Sequence, residues 1–295
     1  MEDKLVRIGV FYDGNYFLQV SNYYAYGHPR KRRLSISGLH DFIRHQVAQE
    51  EATDTRLCHI VDSHYFRGRL SAVEASQRAD TLYNDRVFDD ILMSEGVTTH
   101  YLPLKTSFEG YKQEKGIDVW LALEAYELSF YKRFNVLVLI AADGDYVPLV
   151  RKLNTLGIRV MLLGWDFEYA SDTGQRFTTR TSQDLLEEAT FPIQMSAIID
   201  DRVKRNDPIV NSLFVQTESK KAKDDVAKVP DQNVSEIIAL KNGFGFIKNP
   251  PNNLFFHHSS VVNADFNDLK VGDRVRFAIE KNQNGEDIAK NVYVM

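Results

Sequence analysis

Acidic side chains follow two apolar runs of the sequence. The run at residues 5–12 ends at Asp13, and the run at residues 136–142 ends at Asp143. Asn15 and Asp145 follow two residues later, and Asp118 stands where a helical pattern begins. In open parallel sheets, ligands bind in a crevice at the carboxyl ends of the strands. If the two runs form neighbouring strands, we expect the four acids to meet in that crevice.

Carboxylates crowded into one crevice repel each other, and either protonation or a hard divalent cation relieves the repulsion. A set of acids and one amide, without histidine or thiolate, suits Mg²⁺ or Mn²⁺ better than zinc. Such an ion activates water and stabilises charge on a phosphate. In this interpretation, Asn15 orients a bound water or a phosphate oxygen.

The same residues also fit an ordinary structural role. Asp13 and Asp143 would then be turn residues at strand ends, and Asp118 or Asp145 would cap helices. Spacing alone leaves both interpretations open.

The elements that position these acids alternate along the first part of the chain. The 295 residues, 43% of them apolar, suffice for one large core and a small second domain. Apolar runs predict strands at residues 5–12, 57–61, 97–102, 136–142 and 158–163, and helical spacing predicts helices at 37–47, 82–93, 117–131 and 146–156. This alternation predicts an α/β three-layer domain with a mostly parallel sheet.

The net charge indicates how the protein could bind nucleic acid, and the cysteine content indicates its compartment. The net charge of −5 gives no general attraction to nucleic acid, so binding must come from local patches or aromatic stacking. Cys58 is the one cysteine, which excludes an internal disulfide and fits the reducing cytoplasm. No stretch approaches the roughly 18 apolar residues of a membrane helix, so we expect neither membrane insertion nor secretion.

The composition changes after residue 195. Residues 218–233 are charged and poor in large apolar groups, which predicts a flexible linker. Short runs at 235–239, 244–248, 254–257, 274–279 and 289–294 then predict a small five-stranded all-β barrel. The predicted organisation is a first domain at 1–195, a linker at 196–233 and a second domain at 234–295.

The predicted linker can be tested by protease. Brief digestion should cut between residues 216 and 233 and release two folded fragments, because exposed segments without packed apolar groups are cleaved first. Mass spectrometry of the fragments locates the cuts. A segment as resistant as the sheet would contradict the two-domain organisation.

Four motifs of the first domain carry a family resemblance. They are DGN at residues 13–15, KGID at 115–118, DGDYVPL at 143–149 and TSQDL at 181–185. In this order they resemble the NYN family, the LabA-like branch of the PIN-like ribonucleases, over roughly the first two thirds of the chain. The resemblance implies a PIN-like parallel sheet and a metal-dependent ribonuclease site at Asp13, Asp118, Asp143 and Asp145.

Two departures from the family pattern concern this site. The family usually has its asparagine three residues after the first aspartate, where this chain has Tyr16. It also often carries an acid near Thr190. The first departure bears directly on the role of Asn15.

Aromatic residues alternate along two strands of the predicted barrel, in KNGFGFI at 241–247 and LFFHHS at 254–259. Period two places Phe244 with Phe246, and Phe255 with His257, on common faces, and the glycines at 243 and 245 would leave that surface open. Exposed rings would stack bases, whereas buried rings would form the barrel core. The pattern leaves both possibilities open.

These two motifs resemble the ribonucleoprotein motifs of a cold-shock domain, which the chain matches from about residue 234 to 295. The resemblance implies an OB-fold and assigns Phe244, Phe246, Phe255 and His257 to a face that binds single-stranded RNA. Bacterial cold-shock domains usually have a tryptophan on the first strand, where this chain has Ile237 or Ile238. We therefore expect weaker affinity than in a free-standing cold-shock protein.

A basic run, HPRKRR at residues 28–33, follows a tyrosine-rich segment at 21–26. Basic side chains neutralise phosphates and tyrosines stack bases. If a loop joins this run to the strand that ends at Asp13, then Arg30, Lys31, Arg32 and Arg33 would guide RNA toward the acids. The alternative is an ordinary solvated loop.

Three functions compete on this sequence. The first is a metal-dependent ribonuclease whose cold-shock domain holds single-stranded RNA. The second is a non-catalytic RNA-binding regulator with a degenerate acidic site, which the displaced Asn15 favours. The third is a haloacid-dehalogenase-like phosphatase, which needs a second acid two residues after its nucleophile. Asn15 occupies that position, and this excludes the third function.

Overall fold

A computed structural model describes residues 5–78, 80–106, 112–170, 176–216, 233–241, 243–262, 266, 269–281 and 287–294. The chain divides into two compact units, Met1–Thr217 and Glu218–Met295. Of the predicted linker at 196–233, residues 217–232 lie outside the described part. Among the helices that are described, none is both long and apolar enough to cross a membrane.

A six-stranded sheet forms the centre of the first unit, with every neighbouring pair parallel. The strands of this unit are β1 (Val6–Asp13), β2 (Cys58–Arg69), β3 (Thr98–Pro103), β4 (Lys105–Thr106), β5 (Lys112–Gln113), β6 (Val136–Ile140), β7 (Arg159–Gly164), β8 (Phe167–Ala170), β9 (Arg176–Thr179) and β10 (Phe191–Gln194). The order in the sheet is β10-β7-β6-β1-β2-β3, and β4–β5 and β8–β9 form separate antiparallel pairs.

Helices cover both faces of this sheet. They are α1 (Gly14–Asn22), α2 (Ile36–Glu50), α3 (Ala72–Ser76), α4 (Thr81–Ser94), α5 (Ile117–Lys132), α6 (Val147–Thr155), α7 (Gln183–Glu188), α8 (Met195–Asp200) and α9 (Pro208–Ser212). Side chains alternate along β1, so Val10 and Tyr12 enter one apolar core while Phe11 enters the other. This arrangement confirms the predicted three-layer α/β architecture.

The sheet order brings the two acid-bearing strand ends together. β1 lies between β2 and β6, and Tyr12 pairs with Ile140. Asp13 and Asp143 therefore leave neighbouring strands at the same edge of the sheet. The predicted adjacency of these two strands is confirmed.

Some elements differ from the sequence expectations. β2 continues to Arg69, well past the predicted end at residue 61, because Tyr65 and Phe66 are buried beside β1 although polar residues interrupt the apolar pattern. The sheet has a sixth strand, β10, that was not predicted, because it is short and contains Pro192.

The segment after Asp13 is also different from the expected loop. It forms α1 and then a π-helical turn, Tyr23–Gly27, before the basic run begins. Gly14 and Asn15 suggest a turn in the sequence, but Tyr16, Val20 and Tyr24 are spaced four residues apart and are all buried. Burial of this face decides in favour of helix.

The first unit includes residues beyond 195. Ile199, Val210, Leu213 and Phe214, on or next to α8 and α9, are buried in the same core as α1 and α2. Residues 196–214 of the predicted linker therefore pack against the first unit.

The second unit is a closed five-stranded barrel, as predicted. Its strands are β11 (Asn233–Lys241), β12 (Phe244–Ile247), β13 (Leu254–His257), β14 (Arg274–Lys281) and β15 (Asp287–Val294), in the order β11-β12-β13-β15-β14. The core includes Ile237, Ile247, Phe256, Val275 and Phe277, all at most 1% exposed.

Candidate metal and nucleic-acid site

Asp13 joins the central strand to α1. It caps the helix, because its Oδ1 accepts the backbone N–H of Tyr16 at 3.0 Å, and this bond fixes the carboxylate at the strand end. The helix starts very close to β2. A Cβ on Gly14 would lie 2.6 Å from both the Phe66 carbonyl oxygen and the Tyr65 ring, so only glycine allows this approach.

Asp143 occupies the equivalent place after β6. Its Oδ1 accepts the backbone N–H of Asp145 at 3.0 Å and caps the 3₁₀ turn Gly144–Tyr146. Asp13 and Asp143 thus have the capping role that the sequence left open. Each cap uses one side-chain oxygen, Oδ1, and so orients the carboxylate without occupying both of its oxygens.

Tyr146 connects the acids. Its buried hydroxyl donates to Asp118 Oδ1 at 2.9 Å, in the first turn of α5. Burial raises the pKa of this phenol, and the charges of Asp13, Asp118 and Asp143 raise it further. Three of the four predicted acids therefore act electrostatically on one tyrosine, and Asp118 contacts it directly.

The environment of Asp13 disfavours a negative charge. Burial raises the pKa of its carboxyl to about 7, against the stabilising Tyr16 N–H bond, and the charges of Asp118 and Glu114 add to the increase. In the described part of the chain, no cationic residue is among the largest effects on the pKa of Asp13. The carboxylate therefore needs a proton or a bound cation.

Glu114 is an acid of this cluster that the sequence analysis missed. It is half-buried, and its Oε1 accepts the Gly68 backbone N–H at 2.5 Å. Burial raises the pKa of the Glu114 carboxyl, as does the charge of Asp118, while Arg67 lowers it. Glu114 precedes Asp118 by four residues but lies outside any helical or strand pattern, so only that spacing offered a signal.

Asp145 is placed differently from the other predicted ligands. Like Asp118 and Asp143 it is exposed, but its charge is not among the largest effects on the pKa of Asp13, Glu114 or Tyr146. Nor do any three described His, Cys, Asp or Glu side chains lie close enough together to hold a metal ion as they stand. Asp118 and Glu114, whose charges raise the pKa of Asp13, are nevertheless carboxylates, and carboxylate oxygens suit a hard divalent ion.

An open cleft of about 460 Å³ lies beside the acids. Asp13, Asn15 and Asp143 line it, together with Gln19 of α1. Its remaining lining includes Thr178, Thr179, Arg180 and Ser182, in and after β9. Exposed Arg180 was not singled out by the sequence analysis, although it directly precedes the TSQDL motif.

Comparison with known proteins bears on this arrangement. The NYN domain model matches residues 7–189, and the 'Cold-shock' DNA-binding domain model matches residues 235–295. The chain belongs to the NYN family. Its NYN domain, of the PIN-like nuclease superfamily, is fused to a cold-shock domain, which confirms the architecture that the two resemblances implied.

Solved and curated proteins add little to this assignment. A protein of unknown function from Vibrio parahaemolyticus, known from a crystal structure, is 19% identical to this chain. The alignment covers 68% of this chain and 97% of that protein, with a TM-score of 0.42. There is no match among the curated proteins.

The departures from the family pattern have structural explanations in this NYN domain. Tyr16 is buried, and its hydroxyl accepts the Trp165 backbone N–H at 2.6 Å and donates to the Trp165 carbonyl at 3.3 Å. Tyr16 thus links α1 to the end of β7, and exposed Asn15 presents an amide to the cleft. Thr190 Oγ1 accepts the Val160 N–H at 3.1 Å, at the amino end of β7, away from the acids.

The basic run divides into one packed residue and three exposed ones. Arg30 donates to Asn211 Oδ1 at 3.0 Å and to the Ile199 carbonyl at 3.1 Å, and its guanidinium lies 4.8 Å from the Phe214 ring centroid. Arg30 therefore holds the C-terminal segment of the first unit in place, beyond the residues that the NYN model matches. The exposed members of the run are Lys31, Arg32 and Arg33.

The predicted aromatic residues of the cold-shock domain lie on its outer face. Phe244 pairs with His257, and Phe246 pairs with Phe255, across β12 and β13. The three phenylalanines are half-buried with ring centroids 5.5–6.0 Å apart, and His257 is exposed. Phe256, which stands between Phe255 and His257 in the sequence, is fully buried in the barrel core.

The motif predicted that Gly245 leaves the aromatic surface open, but the structure places this residue in the interior. It is buried, and a Cβ there would lie 2.6 Å from the Phe256 ring and 2.9 Å from the Ala239 carbonyl oxygen. A glycine at this position lets β12 approach the core closely. The outward surface is instead formed by the flanking Phe244 and Phe246.

The raised pKa of Asp13 predicts a pH-dependent penalty on stability. The unfolded carboxyl loses its proton near pH 4, but the folded one holds it up to about pH 7, so Asp13 makes stability fall as the pH rises between these values. In EDTA, Asp13→Asn should raise the free energy of unfolding of the NYN domain by about 4 kcal/mol at pH 8. The gain should be less than half as large at pH 5.

Urea denaturation at the two pH values measures this difference. The asparagine keeps the helix cap, because its side-chain oxygen also accepts the Tyr16 N–H. An equal gain at both pH values, or no gain at pH 8, would contradict the assigned environment of Asp13.

Proposed function

We propose that the protein is a metal-dependent ribonuclease whose NYN domain cleaves RNA held by the cold-shock domain. The observation that carries this proposal is that the charges of Asp13, Asp118 and Asp143 all act on Tyr146, while no cation is among the largest effects on the pKa of Asp13. Asp118 and Asp143 are exposed, but burial of the Asp13 carboxylate beside the Asp118 charge costs free energy, which a bound divalent ion would recover.

The proposed ligands of a Mg²⁺ or Mn²⁺ ion are Asp13, Asp118 and Asp143. Asp145 stays a proposed fourth ligand, and Glu114 is added to the proposed acids because its charge is among those that raise the pKa of Asp13. When bound, the ion would activate water and neutralise charge on the scissile phosphate.

The neighbouring residues orient the acids and the substrate. The two cap bonds hold the carboxylates of Asp13 and Asp143 at the cleft, and the Tyr146 hydroxyl fixes one oxygen of Asp118. Asn15 is exposed in the cleft, where its amide can donate to a phosphate oxygen. These residues would position the phosphate against the acids.

The proposed RNA contacts lie on both domains. On the cold-shock domain, Phe244, Phe246, Phe255 and His257 present a sequence-tolerant stacking surface for single strands. On the NYN domain, Lys31, Arg32 and Arg33 supply exposed positive charge. The proposed compartment is the cytoplasm, where Cys58 stays reduced.

The decisive experiment incubates the purified protein with labelled single-stranded RNA in Mn²⁺, in Mg²⁺ or in EDTA. Cleavage should occur with a divalent ion and stop in EDTA. Tight RNA binding without cleavage in any ion would contradict the ribonuclease proposal.

That contrary outcome would favour a non-catalytic RNA-binding regulator as the second candidate function. One observation supports this candidate. No three described acidic or metal-ligating side chains stand within metal-binding reach of each other. If the acids bind a divalent ion weakly or not at all, RNA binding would be the only activity of the protein.

A further inference from the structure

One face of α1 runs from the acidic cleft to the basic run. Its positions are four, three and four residues apart, the spacing of a single helical face, and they continue into the π-helical turn. They are Asn15, Gln19, Asn22 and Tyr26. The opposite face, which includes Tyr16, Val20 and Tyr24, is buried in the core.

The first end of this face belongs to the cleft. Asn15 and Gln19 are exposed and line it together with Asp13 and Arg180. Arg180 donates to no described side chain, so its guanidinium is available to a phosphate at the cleft wall.

The second end is formed by Arg33 and Tyr26. The Arg33 guanidinium donates to Asn22 Oδ1 and to the Tyr26 hydroxyl, each at 2.8 Å. It also lies 5.3 Å from the centroid of the Tyr26 ring, which is 66% exposed. Two of its N–H groups make these bonds, and the other three remain for a ligand. A held arginine beside an exposed aromatic ring suits a base and its phosphate.

We propose that this face, the α1 track, binds the single-stranded RNA segment that leads into the acidic cleft. Tyr26 stacks a base, Arg33 binds the neighbouring phosphate, and Asn22, Gln19 and Arg180 contact the strand nearer the acids. From Asn15 to Tyr26 the track is about 16 Å long at the rise of a helix, which accommodates two or three nucleotides. This inference rests on the proposed ribonuclease function, and it gives the NYN domain its own substrate contacts.

The test compares two substrates of the full chain in Mn²⁺. With an RNA of about ten nucleotides, long enough to fill the track, Tyr26→Ala combined with Arg33→Gln should raise KM about tenfold and leave kcat unchanged. With a dinucleotide, which occupies only the cleft, neither parameter should change. Both side chains are exposed, so the thermal midpoint should also be unchanged.

A matched control is Arg86→Gln, which removes the same charge from an exposed arginine on α4. It should leave KM for the long RNA unchanged. An equal rise in KM in this control would overturn the track, because any lost positive charge would then have the same effect. An equal rise in the KM of the double variant for the dinucleotide would also overturn the track, because the substituted residues would then act on the cleft itself.

A second measurement separates this inference from the ribonuclease proposal. Photocrosslinking of the long RNA to the Asp143→Asn chain, followed by mass spectrometry, should label Tyr26. A protein that never cleaves RNA but crosslinks at Tyr26 would retain the track and lose the ribonuclease function. Absence of this crosslink, with KM unchanged in the double variant, would overturn the track.

Discussion

Asp143→Asn should abolish divalent-dependent RNA cleavage, with a loss of at least about 100-fold in kcat. The substitution removes a proposed ligand charge from the cluster around Tyr146. It leaves the fold intact, since an asparagine oxygen can still accept the Asp145 N–H and cap the turn. Single-turnover cleavage of labelled RNA in Mn²⁺ measures the loss.

The matched control for this experiment is Asp90→Asn, which removes the charge of an exposed aspartate on α4. This variant should cleave RNA like the parent. Parental turnover in Asp143→Asn would refute the proposed site, and circular dichroism of both variants would establish that each is folded.

Replacing Phe244 and Phe246 with alanine should weaken single-strand affinity by about 1–3 kcal/mol for each stacked base that is lost. Both rings lie on the outer face of the barrel, and their loss removes the surface without opening the core. In cleavage assays, KM for long RNA should rise, because the cold-shock domain no longer concentrates the substrate. The maximal rate on short RNA should change little.

The control for this experiment is a substitution of Phe256, a buried ring of the same domain. Phe256→Ala should cost about 3–5 kcal/mol of stability in the cold-shock domain, whereas the double variant should keep its thermal transition. If the folded double variant binds single-stranded RNA as tightly as the parent, the RNA contacts lie elsewhere, and the basic run that includes Arg33 becomes the first candidate.

The placement of Asp13 and Asp143 shows what the sequence could predict. Apolar runs that end in acids are a local signal, and a parallel sheet places such ends at one edge. The neighbouring positions of β1 and β6 confirm this part of the argument. The five barrel strands were predicted on the same basis, because alternation along short runs needs no knowledge of distant residues.

Other parts of the cleft depend on contacts between residues far apart in the sequence. Glu114 meets Gly68 and the charge of Asp118 only after α5 docks on the sheet. Arg180 reaches the cleft through the β8–β9 hairpin, whose apolar pattern is weak. The helix α1 forms because one of its faces is buried, which outweighs the turn-forming tendency of Gly14 and Asn15.

The central place of β1 in the sheet has a consequence for a chain still on the ribosome. β1 is synthesised before the other strands of its sheet, yet one of its two neighbours is β6, which begins only at Val136. A nascent chain that ends before Asp143 carries Asp13 without its partner across the cleft. The cold-shock domain, matched at 235–295, emerges after the NYN domain, matched at 7–189. During translation, the proposed cleavage site is therefore completed before the aromatic surface that would bind the RNA substrate.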